Sequence, residues 1–435
     1  MFVNKIGIRK EEKAFEARAP LIPGHAKQLH QNHGIDFIVE PSNLRVFDEQ
    51  MYLEAGAEIG PLDGEEPKII LGIKEMPENF FQPNKVHLFF SHTIKGQSHN
   101  MPMLARLLDE GATLLDYELI VNDEGRRLVY FGNWAGMAGI SDTFRVLGKR
   151  LKMEDIHPNP FHGLKPTLES DGVSGIETEF RKIAKRIQEK GLPKEIAPFI
   201  VGFAGYGNVS QGAQRIFDIL PHEVVSPEDL PSLPERFDIL YKCVFKEKDM
   251  VVSNDGGDFD LQDYYAHGLD KYHGIFHEHA KYLTVLMNCI YWSPKYPRLL
   301  TKDFIENYWS KTKHKLIVLG DISCDIEGAI EFTVKCTKPD EPAFTYNIET
   351  KTADPSITTE GPVIMAVDNL PCELPIESST SFSETLLDFI PPLAETDFTV
   401  EFNKLDLCRE LKDAIIVYRG SLTEQYTYLN KYLNR

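Results

Sequence analysis

The chain has 435 residues, of which 42% are hydrophobic and 26% are charged, and its formal net charge is −19 at pH 7. That length predicts two or three globular domains, because domains usually span roughly 100–200 residues. The negative charge argues against nucleic acid and anionic lipid as partners, and no apolar run approaches the roughly 20 residues that cross a bilayer.

The N-terminal segment and the cysteines both indicate a reducing compartment. The chain becomes charged at Lys5, unlike a secretory signal, so we expect a cytoplasmic protein. The cysteines form no CxxC pair, and we expect reduced thiols rather than disulfides or zinc ligands. They are Cys243, Cys289, Cys324, Cys336, Cys372 and Cys408.

Strand-like and helix-like segments alternate through the first third of the chain. A helix is predicted at residues 21–34, ending at Gly34. Short apolar strands are predicted at residues 5–11, 36–40, 68–74 and 86–92. This βαβ rhythm predicts a largely parallel sheet.

A long helix is predicted over residues 133–152. Three glycines at its start and within it, Gly132, Gly136 and Gly139, indicate either close packing or a hinge, with packing preferred.

The middle of the chain predicts a second sheet domain, over about residues 195–370. A loop rich in proline and glycine at 155–173 precedes a helix at 174–191. Further strands are predicted at 237–245, 282–288, 315–323 and 361–369. The residues from Glu377 onward are predicted to be helical.

The segment GYGNVSQG joins an apolar strand-like run to a helix-like run. It supplies Gly205, Gly207 and Gly212, with Ser210 where a dinucleotide fingerprint has its third glycine or alanine. Glycines let the backbone turn tightly and approach a pyrophosphate, and the helix N-terminus offers free N–H groups. The alternative is a strand–helix turn without a ligand.

The residue that would contact the adenosine ribose is less clearly signalled. A fingerprint usually continues with an acidic residue at the tip of the second strand, about 20 residues on. Ser226 stands near that position, followed by Glu228 and Asp229, with no adjacent arginine. NADP is therefore permitted, and the choice between NADP and NAD stays open.

Lys74 and His92 each end a short apolar strand. If these strands are adjacent and parallel, both side chains converge at the carboxyl edge of the sheet, where α/β sheets carry their sites. A partly desolvated lysine there has a lowered pKa and becomes a usable base, with His92 as an acid/base partner. The alternative is a solvated lysine and a loop histidine.

Arginines in the first third are candidates for holding an acidic substrate. Arg18 lies between a predicted strand and helix, and Arg126 and Arg127 lie in a predicted hairpin. Arginine binds carboxylates bidentately, and few cations are available in so acidic a chain. The alternative for Arg126 and Arg127 is surface ion pairing.

Several longer motifs resemble a known family. IGIRKEEKAFEARAPLIP, IKEMP, SHTIKGQ and DEGRRLVYFG resemble the N-terminal domain shared by alanine dehydrogenase, transhydrogenase and the lysine-forming saccharopine dehydrogenases. GNVSQGAQ, NCIYWSPKYPRLLT, GDISCDIEGAIEF and VDNLPCELPIESSTSF resemble the lysine–ketoglutarate reductase half of the bifunctional lysine-degrading enzyme. The stand-alone fungal saccharopine dehydrogenase is more distantly similar. We expect the chain to lack the other half of the bifunctional enzyme.

The resemblance implies an oxidoreductase that interconverts L-lysine plus 2-oxoglutarate with saccharopine, using NADP or NAD. By motif position, Lys74 and His92 are the catalytic acid/base groups. The implied substrate contacts are Arg18, Gln97, Arg127, Phe131, Ser323, Cys324 and Asp325. The implied cofactor contacts are Arg126, Gly205, Gly207, Asn208, Ser226, Tyr291, Ile322, Val367, Asp368, Asn369 and Leu370.

The resemblance also implies the architecture. We expect an α/β protein with two Rossmann-like domains, parallel sheets and an active-site cleft between the domains. The N-terminal domain is predicted to comprise residues 1–135 and about 375–435, and the dinucleotide-binding domain about 136–374. A homo-oligomer is compatible with the sequence, and no nucleic acid, membrane or metal is expected.

Three alternatives stay open at this point. One is an alanine dehydrogenase-like enzyme, and another is a catalytically silent nucleotide-binding subunit. The third rests on His273, His277 and His279 in a histidine-rich insert. Spacing of i, i+4 on a helix suits zinc, but Gly274 weakens a helix there, and a flap beside the cofactor or a surface loop is preferred.

Overall fold

The computed structural model describes residues 3–309 and 314–433. The chain divides into two compact units, one formed by Met1–Phe131 with Pro375–Arg435 and the other by Gly132–Leu374. Within the described part of the chain, no helix has the length and apolar character needed to cross a membrane.

The first 131 residues build a parallel sheet flanked by short helices. Its strands are β1 (Ile6–Ile8), β2 (Phe37–Val39), β3 (Glu58–Ile59), β4 (Ile69–Leu71), β5 (Val86–Phe89) and β6 (Thr113–Asp116). The helices are α1 (Pro23–His33), α2 (Glu49–Glu54) and α3 (Met101–Asp109). Helix α1 ends as predicted, because Gly34 adopts the left-handed backbone at φ +67° and its N–H donates to the carbonyl of His30.

The second unit carries a larger set of elements around its own sheet. Its helices are α4 (Gly132–Met153), α5 (Gly172–Lys190), α6 (Asn208–Phe217), α7 (Glu247–Met250), α8 (Leu261–His267), α9 (His277–Ala280) and α10 (Lys302–Trp309). Its main sheet contains β7 (Ile200–Ala204), β8 (His222–Val225), β9 (Leu240–Phe245), β12 (Val285–Asn288), β13 (Val318–Asp321), β14 (Ala343–Asn347), β15 (Thr352–Asp354) and β16 (Val363–Met365). A separate antiparallel pair is formed by β10 (Val251–Ser253) and β11 (Tyr272–Gly274).

The C-terminal residues return to the first unit. They form helices α11 (Pro375–Leu386), α12 (Ile390–Glu395) and α13 (Arg409–Asp413) and strands β17 (Ile415–Tyr418) and β18 (Ser421–Leu422). The prediction of helices alone from Glu377 onward was therefore wrong. The β-branched and aromatic run IIVY favours a strand, and β17 pairs antiparallel with β6. Asn434 and Arg435 lie outside the described residues.

Both sheets have eight strands and are mostly parallel. The order in the first unit is β18-β17-β6-β5-β4-β1-β2-β3, and in the second it is β15-β14-β16-β13-β12-β7-β9-β8. Among the described strands of these two sheets, every antiparallel pair includes β17, β18, β14 or β15. The predicted class, two Rossmann-like α/β units, is confirmed, whereas the cleft between them stays a prediction.

Each sheet has a strand at which the chain order reverses. In the first unit β1 lies between β2 and β4, and in the second β7 lies between β9 and β12. In open α/β sheets, ligands bind beside the carboxyl ends of strands at such points. Strands β1, β4, β5 and β6 are buried throughout, which explains why they read as continuous apolar runs.

Close packing of α4 against α6 explains two glycines in the second unit. A Cβ added at Gly136 would lie 1.9 Å from the carbonyl oxygen of Val209, and one at Gly212 would lie 2.1 Å from that of Asn133. The helices meet backbone to backbone, so no side chain fits at either position. This favours the packing interpretation of Gly136 over a hinge.

Gly212→Ala should therefore destabilise the second unit. Glycine to alanine inside a helix ordinarily stabilises by about 0.5–1 kcal/mol, but a backbone clash should reverse the sign and cost about 1–3 kcal/mol. Urea unfolding measures the change. Gly207→Ala is the control, since a Cβ there meets nothing within 4 Å. Equal stability of the two variants would contradict the packing argument.

Candidate active site

Lys74 and His92 follow neighbouring parallel strands of the first unit. Strands β4 and β5 pair in register, Ile69 with Val86, and beyond them the Phe90 N–H donates to the Ile73 carbonyl at 3.0 Å. Both side chains are half-buried. The predicted strand arrangement is confirmed, and it places both residues just past the same edge of the sheet.

Two contacts hold His92 in place. Its backbone is left-handed, at φ +48°, and Asn100 Nδ2 donates to its carbonyl at 3.1 Å. Its Nδ1 hydrogen-bonds the carboxylate of Glu75, the residue after Lys74. A non-glycine residue at positive φ is costly, and such strain concentrates at functional sites.

The Glu75 carboxylate is held in its charged form. Burial disfavours the charge, but the hydrogen bond and the electrostatic interaction with His92 outweigh burial and lower the pKa of Glu75 to about 2. An ionised Glu75 on Nδ1 leaves Nε2 of the ring as the nitrogen free to exchange a proton with a substrate.

Burial and nearby cations disfavour the ammonium form of Lys74. Desolvation lowers its pKa, and the charges of Arg18 and Lys13 lower it further, while Glu16 and Glu75 act in the opposite direction. These are the conditions expected of a lysine that serves as a base.

Glu11, which follows β1, supports the segment that carries Lys74. Its carboxyl oxygens accept the Ile73 N–H at 2.6 Å and the Lys74 N–H at 3.1 Å. Burial, reinforced by the charge of Glu16, raises the pKa of Glu11 to about 7. Lys74 is thus positioned through its backbone by a buried carboxyl group that lies beyond the end of β1.

Arg18 is buried, at 2% exposure, in a bidentate pair with Glu16. Its Nε donates to Glu16 Oε1 at 2.7 Å and its Nη2 to Oε2 at 2.5 Å.

The Arg18 guanidinium lies 4.1 Å from the centroid of the Phe131 ring, which stacks on Phe382 at 4.5 Å. Phe90 contacts both Phe131 and His92, at 6.0 and 6.2 Å between ring centroids. The structure therefore brings Arg18, Phe131 and His92 into one cluster.

The other predicted contacts of the first unit are more exposed. Arg126 and Arg127 lie in a hairpin closed by an antiparallel bridge between Val121 and Arg127. Arg127 forms an ion pair with Glu118, so the alternative of surface ion pairing accounts for one contact of Arg127. Gln97 Oε1 is buried and has no hydrogen-bond partner among the described residues. A buried amide oxygen without a partner is suited to accept a hydrogen bond from a donor group of a ligand.

Asp116, at the end of β6, ties the surrounding loops together. It accepts Ser91 Oγ–H at 2.5 Å and Ser91 N–H at 3.0 Å, beside His92, and Glu118 N–H at 2.8 Å. Burial raises its pKa, while the Ser91 hydrogen bond acts against that rise. Asp116 thus fixes the loops that carry His92 and Glu118.

Sequence reasoning did not single out the acidic members of this site. They are Glu11, Glu16, Glu75, Asp116 and Glu118. One signal was available, because Glu75 is next to Lys74, Glu16 lies two residues before Arg18, and the other carboxylates lie within three residues of a strand end. Acidic residues are common in a chain of charge −19, so proximity in sequence alone did not distinguish them.

The glycine-rich turn of the second unit has the expected form. Gly205, at φ +93°, follows β7, and a Cβ there would lie 3.0 Å from Ile290 Cγ2. Gly207 and Asn208 are exposed where α6 begins, and no side chain caps that helix end. The free N–H groups and the open space above Gly207 suit a pyrophosphate.

Ser226 does not lie on the strand next to this turn. It follows β8, but β9 pairs with both β7 and β8 and separates them. The Ser226 hydroxyl donates to Asp229 at 2.7 Å. Its expected role rested on the usual order, in which the second strand neighbours the first, and its contact with a cofactor stays a prediction.

Residues at the end of β9 take the position beside the turn. The Gly205 N–H donates to the Phe245 carbonyl at 3.0 Å, and exposed Lys246 comes next, its Nζ 5.9 Å from the centroid of the Tyr206 ring. Glu247 Oε1 accepts the hydroxyl of Tyr265 at 2.7 Å. The sequence carried no clear signal for this site, because it did not show that β9 is inserted next to β7.

The remaining predicted residues follow the carboxyl ends of the neighbouring strands β12, β13 and β16. Ile322, Val367 and Leu370 share one buried cluster, and Asn369 is also buried. Asp368 and Asp325 are exposed, as is Tyr291 at 70%. The Ser323 hydroxyl donates to the carbonyl of Ile290, which precedes Tyr291.

Asp321 orders the loop after β13, which carries Ser323, Cys324 and Asp325. It accepts Thr333 Oγ1–H at 2.6 Å, Asn288 Nδ2–H at 2.8 Å and Cys324 N–H at 3.2 Å. Burial raises its pKa to about 6 against these hydrogen bonds. These hydrogen bonds hold the predicted contacts Ser323, Cys324 and Asp325, together with Ile322, beside the segment that follows β16.

The histidine-rich insert forms β11 and α9 of the second unit. His273 Nδ1 hydrogen-bonds Asn254 at 2.7 Å, and His273 and His277 line a cavity of about 360 Å³ with Trp292 and Arg298. In residues 3–309 and 314–433, no group of three or more His, Cys, Asp or Glu side chains is placed to hold a metal ion.

The fold and the glycine-rich turn define a two-unit α/β protein of the dinucleotide-binding class. The alanine dehydrogenase/PNT N-terminal domain matches residues 7–138, and the C-terminal domain of the same family matches residues 275–425. The chain belongs to the alanine dehydrogenase/PNT family. A solved L-alanine dehydrogenase shares the fold, with a TM-score of 0.60, 16% identity and 99% coverage of each chain.

Two relatives narrow the similarity. The chain is 37% identical over 446 residues to alpha-aminoadipic semialdehyde synthase of Arabidopsis thaliana, across 98% of this chain and 41% of that protein. It is 29% identical over 409 residues to saccharopine dehydrogenase (NAD(+), L-lysine-forming) of Emericella nidulans, across 91% of this chain and 93% of that protein. The chain thus spans less than half of the plant relative. The resemblance seen in the sequence motifs is confirmed.

The buried Glu11 carboxyl generates a pH prediction. The pKa of Glu11, about 7, lies above the ordinary 4.5, so the protonated carboxyl group favours the folded state. This contribution to the free energy of unfolding is complete below about pH 4.5 and is lost as the pH rises through 7. Glu11→Gln should remove this dependence. The unfolding free energy of the wild type relative to that variant should fall by about 3 kcal/mol between pH 4.5 and 8.

Urea unfolding across that pH range measures the difference. Glu65→Gln is the matched control, because Glu65 is an exposed glutamate of the same unit and should leave the wild-type pH profile intact. A Glu11→Gln profile parallel to that of the wild type would mean that Glu11 keeps its charge when buried.

Proposed function

We propose that this chain is an NAD(P)-dependent oxidoreductase that interconverts L-lysine plus 2-oxoglutarate with saccharopine. The observation that carries the proposal is the cluster of Lys74, the Glu75–His92 pair and Arg18 at one sheet edge of the first unit. The names of the fungal and plant relatives support the same reaction class. The predicted roles of individual residues belong to this proposal.

The substrate chemistry fits the charges of the cluster. Saccharopine carries three carboxylates, so the site needs cations within an acidic protein. Arg18 and Arg127 each pair now with a glutamate, Glu16 and Glu118. A substrate carboxylate would share or replace these partners, and Gln97 Oε1 offers an acceptor for an amine.

Lys74 and His92 would move the protons. Condensation of an amine with a keto group needs proton transfers near neutral pH, to and from the nitrogen and the departing oxygen. Lys74, whose pKa is lowered by burial and by neighbouring cations, acts as the base. His92, oriented through Nδ1 by Glu75, exchanges the second proton at Nε2.

The second unit would hold the nicotinamide dinucleotide. Gly205, Gly207 and Asn208 form a turn whose open N–H groups fit a pyrophosphate. The bound cofactor supplies the hydride that reduces the imine. Ile322, Tyr291 and residues 367–370 are proposed to line the rest of its site.

Lys246 is a candidate cation for binding an adenosine 2′-phosphate. It follows the strand next to the turn, it is exposed, and its Nζ lies near the ring of Tyr206. We therefore propose that the chain accepts NADP through Lys246 rather than through Ser226.

The cytoplasmic location and a homo-oligomer stay predictions.

A substrate panel tests the reaction itself. Initial rates with NADPH and NADH should be detectable for lysine plus 2-oxoglutarate. Pyruvate plus ammonia, the pair expected of an alanine dehydrogenase-like enzyme, should give no turnover. Activity with pyruvate and ammonia alone, or no turnover with any pair despite dinucleotide binding, would refute the proposal.

The acid/base roles predict large rate losses. Lys74→Met and His92→Gln should each slow the reductive condensation by at least about 10²-fold, because each removes a proton-transfer group. Dinucleotide binding, followed by fluorescence, should be unchanged. Lys68→Met, at the opposite end of β4, and His99→Gln are matched controls that should keep the wild-type rate. Retention of that rate in both site variants would refute the assigned mechanism.

The cofactor prediction concerns Lys246 and Ser226. Lys246→Ala should raise the KM for NADPH about tenfold, the effect of losing one charge-assisted hydrogen bond, and change the KM for NADH less than twofold. Ser226→Ala should change neither. Lys248→Ala is the control, because it removes a nearby lysine whose ammonium lies 3.9 Å from the Asp249 carboxylate and has no proposed role in cofactor binding. Equal effects of Lys246→Ala on both cofactors would exclude a 2′-phosphate contact.

A further inference from the structure

Two cysteine thiols meet in the loop that follows β13. Cys336 lies 12 residues after Cys324, and its Sγ–H donates to the Cys324 carbonyl at 3.3 Å. The side chains of the two cysteines lie close enough for each to shift the pKa of the other. Cys324 itself has the left-handed backbone, at φ +57°, so the loop is strained at the residue whose carbonyl accepts the Cys336 thiol.

The two thiols differ in access and in acidity. Cys324 is buried, at 8% exposure, and Cys336 is half-buried. The interaction with the Cys324 side chain lowers the pKa of Cys336, although burial and the charge of Asp368 act to raise it. The same contact, with burial, raises the pKa of Cys324. Cys336 is therefore the accessible, more nucleophilic thiol, and Cys324 is the buried partner beside it.

The pair joins segments to which the proposed function assigns substrate and cofactor. Cys324 Sγ–H donates to the Ala366 carbonyl at 2.8 Å. Thr337, next to Cys336, donates its N–H to the same carbonyl at 2.8 Å and accepts the Asp368 N–H at 3.4 Å. A covalent bond between the sulfurs would tie the Ser323–Asp325 loop directly to the chain beside Val367–Leu370.

We propose that Cys324 and Cys336 are a redox-modification site, which a peroxide converts to a reversible disulfide that slows the enzyme. The Cys336 thiol loses its proton, and the thiolate attacks one oxygen of hydrogen peroxide. The O–O bond breaks, which leaves a sulfenic acid on Cys336, and the departing hydroxide takes up the proton as water. The Cys324 sulfur then displaces the sulfenic hydroxyl, which departs with the Cys324 proton as a second water. Two thiols lose two electrons, and the peroxide gains them. A dithiol reverses the step by exchange.

The expected loss of activity rests on the proposed function. A disulfide sulfur carries no proton, so the Ala366 carbonyl loses its donor from Cys324, and the Ser323–Asp325 loop must shift to close the S–S bond. We expect oxidation to lower kcat/KM for 2-oxoglutarate about tenfold. Formation of the disulfide does not depend on which reaction the chain catalyses.

The first experiment treats the folded full chain with hydrogen peroxide, blocks free thiols with iodoacetamide and maps peptides by mass spectrometry. The expected product is a Cys324–Cys336 cross-link that dithiothreitol removes. Cys336→Ser should abolish it, and Cys408→Ser, which removes another half-buried thiol, should leave it unchanged. Cross-links between other cysteines only, or sulfinic acid at Cys336 without a cross-link, would overturn the proposal.

The second experiment follows reductive condensation before oxidation, after it and after dithiothreitol. The wild type should lose and regain activity in step with the cross-link, and Cys336→Ser should resist peroxide. A complete cross-link with unchanged kcat/KM would overturn the regulatory role. A chain that forms the cross-link but never catalyses the reaction would instead count against the proposed function.

Discussion

The parallel pairing of β1, β4 and β5 is the constraint on which the candidate site depends. Parallel strands all end at the same edge, so the residues after them are brought together although they lie far apart in sequence. Glu11, Lys74 and His92 reach one place in this way, and Glu11 is bonded to the backbone that precedes Lys74. A slip of one residue in this register would turn these side chains to the other face.

Carboxylates accompany the cations of the first unit. Glu16 pairs with Arg18, Glu75 with His92 and Glu118 with Arg127. Burying an unpaired guanidinium would be costly, so a pair such as Glu16–Arg18 keeps the charge in place before substrate arrives. A substrate carboxylate must then compete with a resident one, which makes geometry as important as charge for selection. Lys74 is held differently, because burial and the surrounding cations disfavour its charge.

The second unit shows how one inserted strand changes the meaning of a sequence pattern. Its glycine-rich turn has the expected strand before it and helix after it, and the backbone at Gly205 requires a residue without Cβ. Strand β9, however, occupies the place beside β7, so the residues beside the turn come from the end of β9. Beyond β13, Asp321 arranges a loop in which the Cys336 thiol donates to the Cys324 carbonyl, and the proposed redox site rests on this contact.

The amino-acid sequence by itself determined the elements whose signals are local. The apolar runs of β1, β4, β5 and β7, the Gly34 end of α1 and the glycine-rich turn follow from hydrophobic pattern and backbone sterics, which depend only on near neighbours. The convergence of Lys74 and His92 was also predictable, because both end short apolar strands of one parallel sheet. Strand order and ion-pair partners were decided only by the tertiary structure. The return of β17 to β6, the insertion of β9 and the pairing of Glu16 with Arg18 depend on packing and desolvation between groups that no local pattern connects.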